Sequence, residues 1–102
     1  MPFSPQERAA LIERYARGPA LLKTALSRVP RDALTWRPAP NNWSAHEIVL
    51  HCADSETKAY DRLRGLLAEQ KAVIQGYDQD RWAQALDYHT LPIEPALATV
   101  EA

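Results

Sequence analysis

The chain has 102 residues, 46% of them hydrophobic and 25% charged, with 12 Lys and Arg against 13 Asp and Glu and a formal net charge of −1. That length suits one domain with a single core, spanning residues 1–102, and the interspersed charges leave no basic stripe for a phosphate backbone, which argues against nucleic-acid binding. The lone cysteine, Cys52, excludes an internal disulfide, and with no apolar signal core and no run near the roughly 18 apolar residues of a membrane span, a soluble cytoplasmic protein is expected.

Ser4-Pro5-Gln6-Glu7 is a capping box with proline in the favoured first helical position, so a helix is predicted from Pro5. Leu11, Tyr15, Gly18, Leu22, Ala25 and Val29 recur at spacings of four and three, the pattern of a bundle helix. Gly18-Pro19 interrupts it. Proline has no backbone donor and clashes with the preceding turn, which predicts a kink near Ala16 to Pro19 and a resumed helix to about Arg28. Pro30, Pro38, Pro40 and Asn41-Asn42 then mark a connection with one short turn at Arg31 to Leu34, anchored by Trp36 and Trp43.

Ser44 and Glu47 form a second capping box, and Trp43 with Ile48 has the spacing of a hydrophobic staple. A helix is predicted from Ala45 to about Gln70, its apolar stripe running Ile48, Cys52, Ser55, Ala59, Leu63 and Leu66. His46 and His51 lie on it five residues apart, not the four at which two histidines share a zinc ion. At about 100° per residue, five residues turn roughly 500°, which leaves the rings about 140° apart and excludes the zinc-protease motif. His46, in the first turn, reads as a surface residue. His51 sits on the shoulder of the stripe with Ser55, Lys58 and Arg62, a polar column that could wall a cleft, His51 acting as ligand or base and Arg62 as an anion clamp. An ordinary half-buried histidine beside a solvated helix edge satisfies the same spacing.

Gly76 marks a break, and Asp78 can cap a short helix through Trp82 to Leu86. Thr90 or Leu91 opens a last helical pattern through Leu97 and Val100, which stops at Ala102 without a capping glycine and so reads as cut. No alternating strand pattern and no repeat is present, so the class is all-α.

The run Trp43-Ser44-Ala45-His46-Glu47-Ile48-Val49-Leu50-His51, the following Tyr60-Asp61-Arg62-Leu63-Arg64, Gly76-Tyr77-Asp78-Gln79-Asp80-Arg81-Trp82 and the upstream Val29-Pro30 to Trp36 and Pro38 together resemble the DinB-like superfamily. The resemblance implies an up-and-down four-helix bundle with a divalent metal, zinc or nickel, held by three histidines, of which His51 is the first. The family's other two ligands lie as His-x-x-x-His on a fourth helix, beyond the point matched by Ala102, so three main helices are expected here and the fourth is not. His89 reads as a loop residue.

Two functions are weighed, the first implied by the resemblance and the second by the apolar faces that a missing fourth helix leaves open. In the first, the full-length protein is a metal-dependent enzyme, a hydrolase or a thiol-dependent transferase, in which the ion lowers the pKa of a bound water or thiol and Ser55 and Arg62 contact a small-molecule substrate; this chain alone would then be inactive. In the second, the chain is a non-catalytic helical module that self-associates, as a homodimer, through seam residues such as Leu22, Leu26, Ile48, Leu63, Leu66 and Leu97.

Overall fold

The computed structural model describes residues 2–102, and every regular element among them is helical: α1 (Pro5–Ala16), α2 (Gly18–Ser27), a 3-10 turn (Arg31–Ala33), α3 (Ala45–Ala68), α4 (Gln79–Ala85) and α5 (Ile93–Glu101). Contacts divide the chain into two compact units, one ending at Pro30 and the other Arg31–Ala102.

In the first unit the expected capping box is complete. The Glu7 amide donates to Ser4 Oγ at 3.1 Å and the Ser4 amide to Glu7 Oε1 at 3.0 Å, so two of the amides that a helix start leaves orphaned are satisfied. The interruption expected near Gly18-Pro19 falls at Arg17, which closes α1 and opens α2. Its amide still reaches Glu13 O at 3.1 Å, whereas Pro19 has none to offer the preceding turn. The predicted bent helix is thus two short ones, and neither contains a buried residue.

The second unit is built on α3, against which α4 and α5 pack. Its buried apolar residues are Val49, Leu50 and Ala53 of α3, Ala83 of α4, Tyr88, and Ala96 of α5. The start of α3 at Ala45 is the one predicted, with Ser44 and Glu47 bonded reciprocally. Its buried face is not the predicted stripe: Ile48 is 44% exposed and Leu63 and Leu66 are 54% and 51% exposed. Ala53, about 140° round the helix from Ile48, is buried instead. Periodicity locates an apolar stripe but not which face the neighbours take, and α4 and α5 take the side of Leu50 and Ala53.

Asp78 caps α4 as expected, its carboxylate accepting from the Arg81 amide at 3.1 Å. α5 begins later than predicted, at Ile93 with Pro92 as its cap. Thr90 is occupied in a turn, its hydroxyl donating to Asp87 Oδ2 at 2.5 Å, and Asp87 holds the left-handed φ of 53° that Asp tolerates better than most residues. Pro95, in the first turn of α5, costs no hydrogen bond there.

Ser44 is 1% exposed and its hydroxyl both accepts from the Glu47 amide and donates to the Glu47 carboxylate. Ser44→Ala is therefore expected to destabilise the protein by roughly 0.5–2 kcal/mol, toward the upper end, and Ser4→Ala by less because that terminus frays. Urea unfolding of the two variants checks the order; a neutral Ser44→Ala would mean that the cap does not hold α3.

Candidate functional site around His51

Trp43 immediately precedes the cap of α3, so the helix start also places its indole. The indole lies tilted against the His51 ring, with centroids 4.9 Å apart and planes at 55°. Its other neighbour is Tyr88, met edge-on at 6.3 Å and 75°. The expected staple partner, Ile48, is exposed. Tyr88 is 1% exposed, its amide donates to Ala83 O at 3.0 Å, and its hydroxyl donates to the Asp54 carboxylate. Burial and then this bond push the Tyr88 hydroxyl above the ordinary tyrosine range, so it stays a donor. Asp54 stands three residues beyond His51, on the same side of α3. Trp43, His51, Asp54 and Tyr88 are thus one cluster, joining the loop before α3, the helix itself and the loop after α4.

Within the cluster His51 Nδ1 is buried and has no hydrogen-bond partner. An orphaned buried nitrogen costs on the order of 1–3 kcal/mol, which marks the position as one where packing overrides polar satisfaction.

A second arrangement fixes the start of the helix. Arg37 clasps Glu47 with both arms, Nε to Oε1 at 2.7 Å and Nη2 to Oε2 at 2.9 Å, while the Ser44 amide and hydroxyl reach Oε1 at 3.1 and 3.0 Å. The Arg37 hydrogen bonds dominate, with those from Ser44 adding to them against the cost of burial, and the Glu47 carboxyl is held down to about 2. Arg37 and Glu47, with Asn41, Trp43, Asp80 and His89, belong to the lining of a cleft of about 390 Å³, which His51 does not line.

The other residues singled out in the sequence lie elsewhere. His46 is half-buried, not on the open surface: its Nε2 lies 2.6 Å from Leu91 O, which makes Nε2 the proton-bearing nitrogen, and its amide donates to Leu34 O at 2.9 Å. It ties the loop before α5 to the helix start, a role that first-turn position alone did not reveal. Arg62 donates to Gln75 O at 2.5 Å and stands 5.9 Å over the Tyr77 ring, and Lys58 lies 5.5 and 5.0 Å from the rings of Tyr77 and Trp82. Eleven residues of helix, about 16 Å, separate Arg62 from His51. Ser55 is exposed, so the polar column does not converge on one small ligand. His89 is an exposed loop residue.

As a metal site, the cluster offers His51 as a single donor. Among the described residues no group of three or more His, Cys, Asp or Glu is placed to hold an ion, and Cys52 is kept a thiol by burial and then by Glu56. These residues do not by themselves make a three-ligand centre.

The family model described as the DinB superfamily matches residues 14–102. A proposed metal-dependent hydrolase of Oceanobacillus iheyensis is 36% identical over 84 residues, 82% of this chain and 48% of its own length. Another, from Geobacillus thermodenitrificans, is 30% identical over 81% of this chain and 47% of its own. The solved structure of YfiT from Bacillus subtilis, described as having an unusual four-helix bundle topology and proposed to be a metal-dependent hydrolase, superposes with a TM-score of 0.86 at 26% identity, over 98% of this chain and 57% of that one. The chain thus spans about half the length of the relatives it matches.

The Arg37–Glu47 pair has a pH signature. A carboxyl lowered from 4.5 to about 2 in the folded protein adds stability that is fully present above pH 4.5 and is lost as pH falls toward 2. With Arg37 partly exposed and screened, the loss is roughly 1–2 kcal/mol. Urea midpoints measured down this range are expected to fall, and Glu47→Gln to flatten that part of the profile.

Proposed function

Because the chain belongs to the DinB superfamily, we propose that it is the part of a metal-dependent enzyme, of hydrolase or thiol-dependent transferase type, that supplies one metal ligand, His51. The observation that carries the reading is similarity to proposed metal-dependent hydrolases across four-fifths of the chain. The cluster supports it: His51 is held by aromatic packing against Trp43. The remaining ligands, in this reading, lie in the half of the relatives' length that the chain does not match. A divalent ion in such a centre supplies a lowered pKa to water or thiol.

The chain's own contribution is to place an imidazole. Trp43 packs against His51 and is itself backed by Tyr88, and Asp54 is engaged by Tyr88 rather than left as an unpaired charge in the cluster. Arg62 and Ser55 are not assigned to the substrate, since Arg62 is held to the loop before α4 and Ser55 faces solvent. Zinc and nickel both suit an imidazole ligand, and the choice between them rests on donors outside this chain.

Metal analysis after dialysis tests the reading. With the complete ligand set present, a stoichiometric divalent ion is expected, lost in His51→Ala and kept in His46→Ala, whose ring is committed to Leu91. The 102-residue chain alone should retain little, because one imidazole gains little over hydration of the ion. An ion that survives His51→Ala at full stoichiometry would remove His51 from the centre.

A further inference from the structure

We propose that Trp43 is a positioning residue for His51, its indole holding the imidazole in a single orientation. A histidine that serves as a ligand is ordinarily aimed by a hydrogen bond from its second nitrogen to a carboxylate or carbonyl. Here that device is missing on one edge of the ring, because Nδ1 is buried without a partner. What meets the ring instead is a flat aromatic surface at 4.9 Å, tilted by 55°.

A packing contact aims a ring only if it is itself immobile, and Trp43 is fixed from two directions. On the chain side it adjoins Ser44, whose amide and hydroxyl are both bound to Glu47 and which is 1% exposed. Across the cluster it is met by the edge of Tyr88, a fully buried side chain tied through its hydroxyl to Asp54. Asp54 belongs to the same helix as His51, three residues on. The contacts therefore close on themselves, from His51 through Trp43 and Tyr88 to Asp54 and back along one turn of α3. A change of rotamer at His51 gives up its contact with the indole, and a displacement of the indole disturbs its contact with a buried tyrosine. Aromatic pairs of this kind attract beyond their burial, which favours the staggered rotamer that keeps the two rings together over its alternatives.

The inference rests on His51 being the residue that needs aiming, and its test is made without metal so that the two can fail separately. His51 rotamer populations are read from three-bond couplings by NMR on the metal-free 102-residue chain, with helical circular dichroism as the folding control. The unsubstituted chain is expected to show one rotamer. Trp43→Ala should lose it, giving an averaged mixture with the helical signal kept, and Trp43→Phe, which restores a flat ring, should recover the single rotamer. If Trp43→Ala loses its helical signal, Trp43→Met, which keeps most of the apolar volume but offers no flat face, is read in its place with the same expectation of averaging. A single rotamer that persists in the folded Trp43→Ala or Trp43→Met chain overturns the proposal, whatever His51→Ala does to metal content.

Discussion

The buried carboxylate of Glu47 is the interaction on which the second unit depends. It is 4% exposed and would be costly as an isolated charge, yet it receives two hydrogen bonds from Arg37 and two from Ser44. Each fixes something different. The Ser44 bonds set the first residue of α3, and therefore the angular position of every side chain along it. The Arg37 bonds pull the segment between the 3-10 turn and Trp43 onto the helix start. His46, through Leu34 and Leu91, binds two further loops to the same turn. The register of α3 and the placement of Trp43 thus have one cause, and the environment of His51 is set by both.

Those features that depend on residues close in sequence were legible without coordinates. Two capping boxes, the proline that divides α1 from α2, the short turn after Pro30 and the Asp78 cap all rest on hydrogen bonds or steric exclusions spanning three or four residues. Because the cap of α3 was identifiable, so was the divergence of His46 and His51, and the structure has them engaged with different partners, Leu91 and Trp43. The face of α3 that becomes core was not legible. Its apolar residues spread over more than one side, and the choice between Ile48 and Ala53 is made by where α4 and α5 arrive.

The candidate site was legible in outline but not in composition. His51 stood out by spacing and by family resemblance, while its neighbours did not. Trp43 invites a staple reading because N′ and N4 are the usual pair, but Tyr88, more than forty residues away and itself buried, competes for the indole. Asp54 looks like any solvated acid on a helix until Tyr88 is placed beside it. Arg37 lies ten residues before its partner in a proline-rich connection, where no periodicity applies. Such pairings are products of tertiary structure. Of the two tryptophans expected to anchor that connection, Trp43 packs on His51 and Tyr88, whereas Trp36 is 65% exposed.

One imidazole is a weak site for a divalent ion, and this shapes what the cluster contributes. Affinity in a three-histidine centre arises when several donors are presented together, so that each bond after the first costs little further ordering. Under the proposed function, a chain that provides one donor helps most by providing it in a single orientation, since any freedom left to His51 would be lost as the proposed centre assembled. The aromatic buttress and the buried cap are both devices for removing that freedom beforehand. They also explain an otherwise unfavourable feature, an orphaned nitrogen inside the cluster. With no hydrogen bond to hold Nδ1, hydrophobic contact with the indole is what restrains the imidazole.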